Sequence, residues 1–281
     1  MIFILTITLH FQWIISPKIP FGDDNSAHYA VAIHISEVIK EGKTDFWWHQ
    51  SNLGIPLFAA YQPLPSMFMG LSIAAFESLI HPISLFKGSI ILIWASMPFA
   101  WYVGFRWYGL PRNYCVFLGL LTLCFHDPYS VGFGIRSSTF KGLYTQHFGL
   151  FFLPLFVGSF AQMLQSTQKS TLNTAVLFSL TAMSHLWVGL YAGIIALSLS
   201  ISQFQSTKNH YQKLLKFSFF VCILLAWWIL PLLLTNEYAG GLPWLRSFQN
   251  GWTWQKIFEN FFTGEIFDHS RLPVLTVLCT I

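Results

Sequence analysis

Apolar runs of membrane length recur from one end of this chain to the other. They cover roughly 2–17, 64–81, 87–106, 113–126, 147–165, 172–185, 186–203 and 214–235, and another begins at 272. A helix needs about 20 such residues to cross a hydrocarbon layer, and only helices and closed barrels satisfy their backbone there. Charged residues make up 9% of the chain, against about 25% in a soluble domain, so the chain cannot build a soluble protein's surface. The pattern predicts an all-α fold: a polytopic transmembrane helix bundle of about eight segments, one transmembrane domain over 1–281. The shorter runs, 113–126 and the pair split near His185, read as tilted, kinked or re-entrant segments.

Several classes drop out. The net charge of +4 is small and the basic residues are dispersed, which excludes nucleic acid as a partner. Cys115, Cys124, Cys222 and Cys279 all sit in apolar runs without metal spacing and read as small buried hydrophobes. Met1 to Pro17 has no basic leader and no cleavage motif, so it reads as a first membrane helix. The last run, 272–281, is too short to span, and the chain is expected to be a fragment. Lys208, Lys213 and Lys216 point to a cytoplasmic loop. Placing the first loop outside puts the 81–87 turn, with Lys87, in the cytoplasm. Strict alternation from there conflicts with the lysine cluster unless one segment is re-entrant or the halves around His185 form one helix.

Two long polar insertions interrupt the apolar pattern: a first extramembrane loop at 18–63 and a second at 236–271, the latter with Glu237, Trp244, Trp252 and Trp254. A third, 126–146, holds Asp127, Arg136, Lys141 and Tyr144. Phe21–Pro65 contains five of the chain's eleven acidic residues. Residues 25–41 read as an amphipathic helix along the membrane surface, capped by Asp24 or Asn25 and stopped by Gly42. Its apolar stripe is Ala27, Ala30, Val31, Ile35, Val38 and Ile39, with His28, Glu37 and Lys40 on other faces.

The residues able to carry chemistry concentrate in these loops. Asp23 and Asp24 follow the first span. They serve either as a helix cap and solvated acid, or as a carboxylate that deprotonates a hydroxyl or holds a divalent metal. Asp24 and His28, four apart, share a helix face, where the acid holds the imidazole protonated or fixes its tautomer. His28, His34 and His49 are either interfacial histidines or ligands of one metal. Trp47 and Trp48 are interfacial anchors or an aromatic surface for a sugar ring or lipid, and Tyr61 lies at the same depth. Arg136, Lys141 and His147 either flank spans or bind a phosphate at the membrane surface. His185, deep in an apolar run, is a functional group or an interhelical hydrogen bond.

Asp24-x-x-x-His28, the helix after it, Gly42, Trp47-Trp48, Asn52-Leu53-Gly54-x-Pro56 and Tyr61-x-Pro63-Leu64-Pro65 resemble the start of GT-C-type glycosyltransferase-like membrane proteins. The resemblance is closest to the bacterial YfhO-like and 6-pyruvoyl-tetrahydropterin synthase-related groups, the second of which implies no pterin chemistry by its name. It is specific over about 21–66 and architectural elsewhere. It implies an integral protein of the bacterial plasma (inner) membrane whose site faces away from the cytoplasm. The donor it implies is a sugar on polyprenyl phosphate or pyrophosphate. The first-loop acid then maps onto Asp24 as base or metal ligand, with Asp23 beside it. Arg136 and Lys141 would hold the phosphate, and a second acid would be Asp127 or Glu237. Two other readings stand beside it: a transporter or lipid flippase, supported by His185 and the broken segments, and a non-catalytic subunit docking a membrane-protein partner.

Overall fold

The computed structural model describes residues 2–20, 22–51, 54–124, 132–165, 170–203, 208–234 and 253–263. Phe21, Asn52, Leu53, Asp127, Glu237, Trp244, Trp252, Cys279 and the run from 272 lie outside the described residues. The chain is a helical membrane protein. Two compact units divide it, Met1–Leu233 and Leu234–Ile281.

The first unit opens with two short helices, α1 (Ile2–Leu9) and α2 (Phe11–Ile15), then α3 (Asn25–Lys40). A two-residue ribbon follows, β1 (Trp47–Trp48) antiparallel to β2 (Ile55–Pro56), with Trp47 opposite Pro56. Next come α4 (Leu57–Ala60), α5 (Pro63–Phe76), α6 (Pro82–Tyr108) and α7 (Arg112–Leu121). A π-helical turn, Ser137–Lys141, precedes α8 (Tyr144–Gln165), α9 (Thr171–Ser184), α10 (Leu186–Ser202) and α11 (Lys208–Leu234). In the second unit, α12 (Trp254–Phe262) exposes Trp254, Phe258 and Phe262, spaced four apart along one face.

Among the described residues, three helices are long and apolar enough to cross a membrane: α6, α8 and Tyr211–Leu234 of α11. Local chemistry sets their ends. Pro82 opens α6 while His81 Nδ1 accepts the Ile83 N–H at 3.3 Å, and Gly109 ends it at φ +107°. Ser170 caps α9 by accepting the Asn173 N–H at 3.2 Å. Between α9 and α10 the backbone at His185 is extended, with φ −161° and ψ 118°, which separates the two runs into two helices.

Two apolar cores share α8. Ala32, Met69, Ile73, Phe86, Trp94, Met97, Tyr144 and Phe148 join α3, α5, α6 and α8. Further along α8, Phe156, Phe160 and Met163 pack with Ala175, Ala192 and Phe217 of α9, α10 and α11. Lipid offers no hydrophobic gain between helices, so close approach and hydrogen bonds carry the packing. Trp101 Nε1 donates to the Leu150 carbonyl at 3.2 Å, and the Ser159 and Thr174 hydroxyls meet at 2.7 Å. The inward face of α3 carries Asn25, His28, Ala32, Ile35 and Ser36, while Ala27 is exposed. That face is rotated from the purely apolar stripe because α5 approaches at Gly70, where a Cβ would lie 2.4 Å from Ile35 Cγ2.

Lys87 is 1% exposed within α6 rather than in the 81–87 turn. Its ammonium donates to the Ser16 carbonyl at 2.5 Å and the Lys18 carbonyl at 3.2 Å, and sits 5.4 Å from the Trp13 ring. Ser16 is the C-cap of α2 and Lys18 lies just beyond it, so the lysine ties the N-terminal segment to α6. Lys87→Met is expected to lower stability by about 1–3 kcal/mol, seen as a lower thermal midpoint in detergent. An unchanged midpoint would contradict this role.

Candidate functional site

Two segments far apart in sequence lock together at the start of α3. The Asp24 N–H donates to the Lys141 carbonyl at 3.2 Å, and Asn25 Nδ2 donates to the Thr139 carbonyl at 3.0 Å. Glycine is required on both sides of this contact. Gly142, at φ +87°, lies so close that a Cβ would sit 2.9 Å from Asp24 Cβ. Gly22, at φ +143°, would place one 1.6 Å from the Phe140 carbonyl oxygen. The π-helical turn is anchored from behind by His147. Its Nε2 accepts the Gly134 N–H at 3.2 Å, which leaves the proton on Nδ1, 3.1 Å from the Leu143 carbonyl and 2.6 Å from Ser138 Oγ.

This docking brings both acids and one cation together. Lys141 Nζ donates to Asp23 Oδ2 at 2.8 Å. Asp24 occupies the N-cap position of α3 but makes no capping bond through its side chain. Its carboxylate instead lines a cleft of about 270 Å³ with His28, Tyr61, Gln62 and Ser66, closed by Val31, Leu57 and Phe58. The His28 ring, 8% exposed, lies 4.9 Å from Tyr144, edge on, and 5.6 Å from Tyr61.

Burial lowers the His28 pKa below its ordinary 6.5, and this outweighs the opposing pull of the Asp24 charge. The imidazole is therefore neutral at neutral pH. Packing around the Tyr61 hydroxyl raises its pKa, a hydrogen bond with Thr145 opposes the rise, and the Asp24 charge adds to it. Tyr61 thus stays a protonated donor. A histidine with a depressed folded-state pKa makes the unfolded chain bind more protons as pH falls below 6.5. Its contribution is fully present above that pH and is lost below it. The thermal midpoint is expected to fall as pH drops from 6.5 toward the lowered folded value, and His28→Gln to flatten that slope. An equally steep slope in the variant would contradict this.

The other sequence candidates do not line this cleft. Trp48 stacks on His34 at 5.4 Å and 19°, and Trp47 lies 6.3 Å from His49 at the mouth of a neighbouring cleft. Arg136 is exposed where the π-helical turn begins. His147, 2% exposed, holds that turn from within and does not line the Asp24 cleft. His185 sits apart at the α9–α10 break, its Nδ1 buried and without a hydrogen-bond partner. Among the described residues no three His, Cys, Asp or Glu side chains gather as a metal site. The Asp23 carboxylate is already matched by an ammonium, so this donor set suits a divalent metal poorly. Gln62, Ser66, Gly22 and Gly142 carried no signal of their own in the sequence, since their roles come from contacts made across the fold.

A family model described as the 6-pyruvoyl-tetrahydropterin synthase related domain, a membrane protein, matches residues 60–268. No curated protein and no solved structure matches the chain. The matched region holds Tyr61, Arg136, Lys141, His147 and His185, and begins after Asp23, Asp24, His28 and Trp47.

Proposed function

We propose, for a chain that belongs to the 6-pyruvoyl-tetrahydropterin synthase related family of membrane proteins, an inverting GT-C-type transfer of a sugar from a polyprenyl-phosphate-linked donor to an acceptor on the extracytoplasmic side. The observation that carries it is the cleft in which the uncapped Asp24 carboxylate faces Tyr61 and neutral His28, with the Asp23–Lys141 pair beside it. Asp24 takes the proton from an acceptor hydroxyl, and that oxygen forms the new bond to the anomeric carbon. The bond from that carbon to the phosphate oxygen breaks on the opposite face, and polyprenyl phosphate leaves. Lys141 offsets the charge growing on the leaving phosphate, and Asp23 holds its ammonium in place. Arg136, exposed at the other end of the same turn, supplies a second cation to the phosphate. Tyr61 donates a hydrogen bond to the acceptor. A lipid-anchored leaving group explains why such a site belongs beside membrane helices.

Donor binding tests this reading. Purified protein in nanodiscs is expected to bind radiolabelled polyprenyl-phosphate-linked mannose or glucose saturably, and Lys141→Glu to weaken it about 10-fold or more. No saturable binding, or equal binding by the variant, would defeat it. A transport role draws on one separate observation, the unpartnered His185 nitrogen at a helix break. Lipid or sugar flux into proteoliposomes, abolished by His185→Ala and independent of transfer, would favour that role instead.

A further inference from the structure

A second cleft opens beside the Asp24 cleft. It measures about 440 Å³, inside the range of roughly 300–1,000 Å³ typical of small-molecule sites. Leu57 and Phe58, at the start of α4, line both clefts and form a shared wall. Its surfaces come from β1, from α11 and from the segment leading into β1. Trp47 is 40% exposed and Trp227 is 53% exposed, and both line it, with Asp45 and Thr44 as its polar groups.

The indoles are set in place before any ligand arrives. A Cβ on Gly54, at φ +109°, would lie 2.6 Å from Trp47 Nε1, so Gly54 packs directly against that ring. Asp45 Oδ1 accepts the Trp47 N–H at 2.9 Å, which fixes the backbone beneath it. On α11, the neighbouring Trp228 is 1% exposed and donates Nε1–H to the Tyr61 carbonyl at 3.2 Å. That bond ties α11 to the residue facing Asp24, and it holds Trp227 in the adjacent cleft.

We infer that this cleft binds an uncharged saccharide, the acceptor whose hydroxyl reaches the Asp24 cleft; in its acceptor role the inference rests on the transfer reading. A sugar ring has apolar C–H faces and a rim of hydroxyls. The faces suit two exposed indoles, and the hydroxyls suit a carboxylate oxygen and a threonine hydroxyl. A phospholipid fits less well. Its anionic phosphate would meet the Asp45 charge, and an acyl chain would leave Asp45 and Thr44 unmatched.

The test uses protein in phosphatidylcholine nanodiscs, free of sugar-headed detergent, with saturation-transfer NMR on cellobiose, chitobiose and mannobiose. At least one disaccharide is expected to show transfer to its ring protons. Trp47→Leu and Trp227→Leu should each weaken binding about 10-fold, and the Phe replacements should retain most of it. Leu keeps an apolar side chain and removes the flat ring, so a site for lipid chains would tolerate it better than a sugar site. Asp24→Asn should slow transfer about 10²- to 10⁴-fold, while its disaccharide binding still depends on Trp47 and Trp227. Binding by none of the three sugars, or equal binding by the Leu variants, overturns the inference. Disaccharide binding without any transfer by the wild type would remove the transfer reading and leave the saccharide site standing.

Discussion

Asp24→Asn is expected to slow sugar transfer about 10²- to 10⁴-fold, the contribution of a positioned general base. That range is about 2.7–5.5 kcal/mol of transition-state stabilisation. The substitution keeps the side chain's size and removes its capacity to take a proton. Little stability should go with it, because the carboxylate makes no capping bond and the residue is exposed. A change within about 0.5 kcal/mol is expected for such a position. Initial rates and thermal midpoints measured on the same preparations separate the two effects. A rate within a factor of two of wild type would remove Asp24 from the chemistry.

Gly104→Leu has the largest expected structural effect. A Cβ at Gly104 would lie 2.3 Å from the Pro154 carbonyl oxygen and 2.4 Å from its carbonyl carbon. From the other side, a Cβ at Gly158 would lie 2.2 Å from the Gly104 carbonyl oxygen. Backbone atoms cannot rotate aside as a side chain can, so α6 and α8 would have to separate. Both apolar cores depend on α8, and the Trp101–Leu150 hydrogen bond crosses the same pair of helices. Overpacking costs about 1–3 kcal/mol where side chains can yield, and more is expected here. Little monodisperse protein should be recovered, with a much lower thermal midpoint. Gly193→Ala is the control, since a Cβ there meets nothing within 4 Å. Equal behaviour of the two variants would show that the α6–α8 approach is not needed.

The longest helices were readable because each combines a long apolar run with its own punctuation. The run at 87–106 lies inside α6, extended backward by the His81–Pro82 cap and closed by Gly109. The run at 147–165 differs from α8 by one turn, because Tyr144 and Thr145 are buried and helical despite their polar groups. His185 marked a break because it combines an ionisable side chain with the end of an apolar run, and the extended backbone lies there. The course of 2–17 was less visible. It forms two helices at His10, whose Nδ1 lies 2.8 Å from the Thr6 carbonyl.

The candidate site was partly legible for a different reason. Acids and tryptophans stand out in a greasy chain, so Asp23, Asp24, His28, Trp47 and Tyr61 drew notice individually. Their pairing did not. Lys141 lies more than a hundred residues from Asp23, and the glycines that allow the contact, Gly22 and Gly142, look like ordinary loop glycines. Trp227 lies inside the apolar run 214–235, and only the fold sets it beside Trp47. The rotated face of α3 was hidden likewise. Apolar periodicity put His28 outside, whereas the rings of Tyr61 and Tyr144 receive it inside.

The most direct measurement incubates the purified protein in nanodiscs with polyprenyl-phosphate-linked mannose or glucose and a disaccharide acceptor, and follows polyprenyl phosphate release and product configuration by NMR. Release that depends on Asp24, with inversion at the anomeric carbon, is the expected result. No release from either donor, or a product with retained configuration, would contradict it.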